Sequence, residues 1–200
     1  MPLPPAVPRQ SAHVREVRFE GFEREDGLWD IEGRITDVKP YGCELASGIR
    51  PAGEPIHDMR VRLTIDASMN VLEAVASSDA VPYPGHCETI APAYAALVGA
   101  NLGMGFRKRV QALFGGVQGC THITELLGQF PTAALQTFAG RRRDTDDSHG
   151  KPFQLDRCHA LDTRGETVKT YYPRWYAHRP AASRTAAGRT PEHSPKEHDQ

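Results

Sequence analysis

The chain has 200 residues, of which 24 are Lys or Arg and 25 are Asp or Glu, so its formal net charge is −1. Hydrophobic residues make up 39% of it, which excludes a wholly disordered chain, because such chains combine low hydrophobicity with high net charge. The charge balance excludes a general polyanion binder, since neutralising phosphates requires an excess of Lys and Arg. No apolar run approaches the roughly 18 residues that a membrane span needs, and residues 1–10 lack the features of a signal peptide. We therefore expect no nucleic-acid partner, no membrane partner and a cytoplasmic location.

Both ends of the chain are predicted to be disordered, and residues 14–178 are predicted to form a single α+β domain. Residues 1–13 hold four prolines, and residues 179–200 contain no apolar residue larger than Ala. Neither stretch buries enough apolar surface to offset the conformational entropy that ordering costs. The three histidines in these ends are therefore left out of the candidate site: His13, His193 and His198.

The first half of the chain predicts an antiparallel meander of about four strands. Apolar and polar residues alternate in four segments: 14–22, 28–38, 59–66 and 69–77. Alternation with a period of two is typical of a half-buried strand. Turn signals at Glu25-Asp26-Gly27 and at Asp66 close two hairpins, and residues 39–57 are predicted to be a long loop between them.

The second half of the chain predicts helices followed by a last hairpin. Apolar residues recur at helical spacing in four segments: 87–99, 103–114, 120–128 and 131–139. Residues 155–161 and 166–172 are predicted to pair around a turn at 162–165. Strands followed by helices indicate an α+β fold, with three or four helices on one face of the sheet and a C-terminal hairpin.

Three of the four cysteines lie within two residues of a histidine: His86-Cys87, Cys120-Thr121-His122 and Cys158-His159. Cys87 and Cys120 each open a predicted helix, where free backbone N–H groups favour the thiolate. Another histidine, His57, directly precedes the third strand. Thiolate and imidazole are ligands that suit zinc and iron. We therefore predict a mixed metal site, holding zinc, iron or an iron–sulfur cluster, made of His57, Cys87, Cys120 and His122.

Other residues are possible members of this site. Asp58, Cys158 and His159 are candidate additional ligands, although Asp58 could instead cap the turn into the third strand. Neighbours in a strand point to opposite faces, so at most one of Cys158 and His159 enters a given site. Glu125 lies three residues after His122 on the same predicted helix and is a candidate for orienting its imidazole from outside the ligand shell.

Two further residue patterns favour structural roles. Cys43 has no histidine near it in sequence and is interpreted as a small core residue. Asp37 and Lys39, at the end of the second strand, are interpreted as a pair on the protein surface.

Two alternatives to metal binding alone remain open. One is an enzyme that acts on a small molecule, either through a metal with an open position or through Cys87 or Cys120 as nucleophile and His122 or His57 as base. An apolar pocket beside these residues would support it, with walls drawn from Trp29, Tyr83 and Phe106. The other alternative is a binding module without metal, in which the thiols are merely buried.

The sequence resembles a bacterial family of uncharacterised proteins, a domain of unknown function. The resemblance rests on DGLWDIEGRITDVK, GEPIHDMRVRLTID, DAVPY with Cys87, GFRKRV with the following Gly-Gly, GCTHITELL, and CHAL with YYPRW. It covers about residues 14–176 and implies a shared fold and site, without an activity.

A weaker resemblance is to iron–sulfur cluster scaffolds of the NifU N-terminal type. His57 and the strand after it resemble that family's first ligand and strand, Cys87 resembles the second ligand, and Cys120 with His122 resembles the last pair. The first ligand here is His rather than Cys, and the last pair is Cys-x-His rather than adjacent His-Cys. The resemblance implies a cluster-binding site.

Overall fold

The computed structural model describes residues 2–139, 150–152 and 154–177, and the chain divides into two compact units, Met1–Arg141 and Arg142–Gln200. Residues 2–13 are exposed and form no helix or strand. The predicted tail at 179–200 lies outside the described residues. Disorder at the two ends, and a single domain over residues 14–178, stay predictions.

Six strands form in the first unit: β1 (Val14–Glu23), β2 (Trp29–Val38), β3 (Cys43–Leu45), β4 (Gly48–Arg50), β5 (Pro55–Ile65) and β6 (Val71–Ala80). The four long strands make one antiparallel sheet in the order β1-β2-β5-β6, which confirms the predicted meander. The short strands β3 and β4 pair as a separate hairpin inside the predicted loop at 39–57.

The helices are α1 (Phe106–Phe114), α2 (Thr121–Leu127) and α3 (Phe130–Phe138) in the first unit and α4 (Glu166–Tyr171) in the second. α1 begins at Phe106 rather than 103, because Gly105 before it has a left-handed backbone with φ of 68°. Pro131 lies in the first turn of α3, where its missing N–H leaves no helical hydrogen bond unmade.

The hydrophobic core lies between the sheet and the helices of the first unit. On β5, Met59, Val61, Leu63 and Ile65 are at most 2% exposed, whereas Arg60 and Arg62 between them are exposed on the other face. The core is completed by residues of the helical region, among them Tyr94, Phe106, Ile123 and Phe130. The α+β fold, with helices on one face of an antiparallel sheet, is thereby confirmed.

The segment predicted as a helix at 87–99 is a 3-10 helix, Cys87–Leu97. Pro92 lies inside it. Proline has no N–H to donate and disfavours the α conformation of the residue before it, so a regular α-helix is interrupted here.

The predicted C-terminal hairpin is wrong. Instead of two strands, the second unit has a 3-10 helix at His159–Leu161, the helix α4, and a further 3-10 helix at Pro173–Trp175. The helix is favoured by an acidic residue, Glu166, in its first turn and by the ion pair of Glu166 with Lys169 three residues later. The brief apolar alternation of residues 166–172 does not outweigh these local signals.

No helix in the described parts of the chain combines the length and the apolar character that crossing a bilayer requires.

Candidate metal centre

Three polar side chains form a row across the end of the sheet. Arg15 on β1 pairs with Asp37 on β2, and Asp37 pairs with His57 on β5. Directly paired residues of antiparallel strands project to the same face. This is the helix-covered face, because Ile35 and Met59, two residues along β2 and β5, are buried in the core. The β2–β5 register shifts directly after Asp37, so the row lies where regular pairing ends.

The fourth side chain, His122, comes from the first turn of α2. Cys120 precedes this helix in an extended conformation, and its backbone N–H donates to the Tyr94 hydroxyl at 2.9 Å. Tyr94 is fully buried, so this contact fixes the start of α2 against the core. The His122 ring then lies 3.8 Å from the His57 ring, centroid to centroid, with 30° between their planes.

Asp37 is the centre of the cluster. It is 3% exposed, and Arg15 donates from Nε to Oδ1 at 2.8 Å and from Nη2 to Oδ2 at 2.9 Å. His57 Nδ1 lies 3.0 Å and His122 Nε2 lies 3.5 Å from Oδ2. His13 Nε2 lies 2.7 Å from Oδ1. A buried carboxylate is costly unless it is paired and hydrogen-bonded, and here both oxygens have charged or polar partners.

These contacts shift the pKa values of the cluster. Burial by itself raises the pKa of Asp37, but the hydrogen bonds from Arg15 and His13 and the charges of Arg15 and His57 outweigh it and lower the pKa to about 2. Burial is the main cause that lowers the pKa of His57, and the neighbouring His122 lowers it further. Burial likewise lowers the pKa of His122, although Asp37 and Glu125 oppose the shift. At neutral pH the site therefore combines a charged carboxylate with two neutral imidazoles.

This combination can hold a metal ion. Asp37, His57 and His122 each offer one ligand atom, and these atoms all lie within 4.8 Å of one another. A neutral imidazole and a carboxylate are the protonation states that ligate metals. Two histidines and one carboxylate form the ligand set of many catalytic zinc sites and of non-haem iron(II) sites.

The structure places the four predicted ligands in two groups, the histidines and the cysteines. His57 and His122 lie together beside Asp37, whereas Cys87 and Cys120 are partly buried and pack against the hydrophobic core. The Cys120 thiol lies 3.6 Å from the Met59 sulfur. Participation of the two thiols in a metal site stays a prediction.

The additional candidates have other partners or lie elsewhere. Asp58 accepts two hydrogen bonds from Arg34, at 2.8 and 2.6 Å, and Arg34 is not on the core face of β2. Cys158 and His159 are exposed in the second unit, at the start of a 3-10 helix and not in a strand. Glu125 accepts a hydrogen bond at 3.0 Å from Arg15, the residue that holds Asp37.

The interpretation of Asp37 and Lys39 as a surface pair is wrong. Asp37 is buried under α2, and Lys39 donates instead to the Tyr41 hydroxyl at 3.3 Å. The alternation of β2 indicates the buried position of Asp37. Ile31, Gly33 and Ile35 face the core, so Asp37, two residues after Ile35, faces it as well. His13, which the sequence analysis left out of the candidate site, has its ring within hydrogen-bond distance of Asp37.

A cleft of about 860 Å³ lies elsewhere in the first unit. Its lining, drawn mainly from β1 and α3, includes Phe19, Trp29, Arg107 and Gln136, and none of the metal-ligand candidates. Of the three aromatic residues expected to form pocket walls, Trp29 lines this cleft, Phe106 is buried in the core and Tyr83 is exposed.

Comparison with known proteins assigns the chain to a family, and that family has no described activity. A family described as "Protein of unknown function (DUF2889)" matches residues 13–136, which is more than half of the chain and includes all three ligand candidates. No curated protein matches the chain, and no solved structure matches it.

Proposed function

The chain belongs to the DUF2889 family of proteins of unknown function, and we propose that it binds one divalent metal ion, zinc or iron(II), through Asp37, His57 and His122. The observation that carries the proposal is the convergence of one carboxylate and two imidazole donors within 4.8 Å of one another. They come from three different elements, β2, β5 and α2, so the tertiary fold and not a local motif assembles the set.

The residues around the three ligands support metal binding. Metal-binding carboxylates and histidines are held in orientation by hydrogen bonds from outside the ligand shell. Arg15 supplies two such bonds to Asp37, and Glu125 binds the Arg15 guanidinium in turn. Glu125 also offsets the positive charge of Arg15, which would otherwise oppose a cation at Asp37.

The donor set favours a single zinc or iron ion over an iron–sulfur cluster. Clusters are held by thiolates, whereas the donors gathered here are nitrogen and oxygen. Imidazole and carboxylate suit a borderline or hard divalent ion.

The site is open enough for exchange with solvent. The side chains of His57 and His122 are 16% and 23% exposed. Three protein ligands leave a coordination position for water, the arrangement in which zinc acts as a Lewis acid and lowers the pKa of the bound water. A metal-dependent enzyme is therefore the form of activity that this proposal favours.

Metal content of the full-length protein tests the proposal. After chelator treatment and reloading with Zn²⁺ or, without air, Fe²⁺, the wild type should retain one equivalent through dialysis, measured by elemental analysis. His57→Ala and His122→Ala should each lose the metal, because each removes one of the two imidazoles that converge with Asp37 on the ion. His86→Ala, which alters an exposed histidine, is the matched control and should retain it. A wild type that retains no stoichiometric metal, or variants that retain it fully, would contradict the proposal.

A further inference from the structure

A third imidazole reaches the same carboxylate as the two proposed histidine ligands. His13 Nε2 lies 2.7 Å from Asp37 Oδ1, while His57 and His122 approach Oδ2 of the same carboxylate. Three histidine rings therefore surround one buried carboxylate, although only two of them belong to the set of donors within 4.8 Å.

The position of His13 differs from that of the other two rings. His57 and His122 are carried by β5 and α2, and their side chains are at most 23% exposed. The His13 side chain is 43% exposed and directly precedes β1, whose first residue, Val14, pairs with Val38. On its other side are residues 2–12, which are exposed and have no regular structure. His13 is thus anchored to the sheet at one side only, and its ring reaches Asp37 from the solvent.

We propose that His13 is a fourth, detachable ligand of the metal ion, which closes the site when bound and opens one coordination position when it leaves. This inference rests on the proposed function. Three imidazoles and one carboxylate make a complete tetrahedral set for zinc, whereas His57, His122 and Asp37 alone leave one position for water or a small anion.

The change from hydrogen bond to metal ligand has a defined proton balance. Nε2 of His13 is the ring atom at hydrogen-bond distance from the acceptor Oδ1 of Asp37, so this contact requires the proton to be on Nε2. Ligation needs the lone pair of Nε2, so the proton moves to Nδ1 and the neutral imidazole changes tautomer without changing charge. The His13 side chain is 43% exposed and is not part of the hydrophobic core, so its ring approaches Asp37 from the solvent side.

Cobalt(II) in the full-length protein tests this inference, because its visible absorption reports the number and type of ligands. Wild-type protein loaded with Co²⁺ should show a four-coordinate spectrum that added imidazole does not change. His13→Ala should still bind one Co²⁺, with a Kd raised by at least about tenfold, since even partners outside the ligand shell contribute about 10- to 100-fold to metal affinity. Free imidazole should then occupy the vacated position and restore the wild-type spectrum.

His86→Ala is the matched control, and thermal unfolding of the metal-free proteins checks that each variant folds.

The outcomes separate this inference from the proposed function. If the wild type binds neither Zn²⁺ nor Co²⁺, the proposed function fails and the role of His13 fails with it. If the wild type binds both ions and His13→Ala has the same Kd and spectrum, His13 is not a ligand and the three-ligand site stands. If His13→Ala binds more weakly but imidazole neither alters the spectrum nor restores affinity, His13 only orients Asp37, which also overturns the assignment.

Discussion

At the scale of single residues, the chemistry of the site depends on a carboxylate that is both buried and charged. Asp37 is 3% exposed, yet its pKa is lowered to about 2. Burial alone would favour the neutral acid, so the charge is maintained by the guanidinium of Arg15 and by the ring of His13. Asp37 is thereby ready to bind a cation at neutral pH without first losing a proton.

The pKa shifts predict how the stability of the metal-free protein depends on pH. The pKa values of His57 and His122 are lowered on folding, so below about pH 6.5 the unfolded chain takes up protons that the folded chain does not, and stability falls. The contribution of Asp37 is fully present above about pH 4, its unfolded pKa, and is lost as the pH falls through about 2. Its size is on the order of 2 kcal/mol.

Urea unfolding at about pH 7.5, 5 and 3.5, in the presence of a chelator, measures this dependence. The free energy of unfolding should fall between the first two pH values and again towards the third. The double variant His57→Asn with His122→Asn should lose most of the first decrease and keep the second. Stability of the wild type that does not change between pH 7.5 and 5 would contradict the assigned histidine shifts.

The sequence predicted two of the three proposed ligands. His122 stood out because it lies two residues after Cys120 at the start of a predicted helix, and His57 because it directly precedes a predicted strand. Asp37 was missed because a carboxylate near a strand end and two residues from a lysine is usually a surface residue. The alternating pattern of β2, continued two residues beyond Ile35, places Asp37 on the inward face of the sheet. The contact of Asp37 with His122 on α2 depends on tertiary packing, which no local sequence pattern contains.

At the scale of elements, β1 and β2 pack against α3 through a contact that involves Gly33 and the aromatic rings of Phe19 and Phe130. Gly33 on the inward row of β2 pairs with Phe19 of β1. The Phe19 ring meets that of Phe130 edge to face, with centroids 5.1 Å apart and planes at 86°. The absence of a side chain at Gly33 leaves room for this contact.

Replacing Gly33 with Ala should destabilise the protein by about 1–3 kcal/mol, the usual cost of overpacking a core. A Cβ at this position would lie 2.8 Å from Cε1 of Phe19 and 3.0 Å from Cε2 of Phe130, closer than van der Waals contact allows. Gly42→Ala is the matched control, because the nearest atom to its Cβ would be 3.7 Å away. Urea unfolding measures both, and equal stabilities of the two variants would show that β1 and α3 separate at little cost.

The elements that the sequence predicted best are those whose periodicity persists over many residues. The four long strands and the helices α1 and α3 each have nine or more residues, long enough for a consistent pattern to show. The helix α2 is shorter, but Gly119-Cys120 directly before it marks its start. The strands β3 and β4 have three residues each, too few for a period to show. In the segment at 87–99, Pro92 interrupts a regular α-helix. In the segment at 166–172, Glu166 in the first turn and its ion pair with Lys169 favour a helix over the predicted strand.

At the scale of the whole molecule, the first unit contains both the core and the candidate site. Every buried residue of the core cluster lies between Ile31 and Ala134, and Asp37, His57 and His122 lie in the same interval. The family match, residues 13–136, falls inside this unit as well. Core, site and family therefore coincide in Met1–Arg141.

A fragment ending at Arg141 should accordingly fold alone and bind metal. A chain of this length buries enough apolar surface to be stable, and all the described residues that surround Asp37 are present in it. We expect cooperative thermal unfolding by circular dichroism and one equivalent of Zn²⁺ retained through dialysis, with the His57→Ala fragment folding equally well but retaining none.

A fragment that folds cooperatively and loses the metal, while the full chain keeps it, would show that the second unit contributes to the site. A fragment that does not fold would show that the core of the first unit needs the rest of the chain.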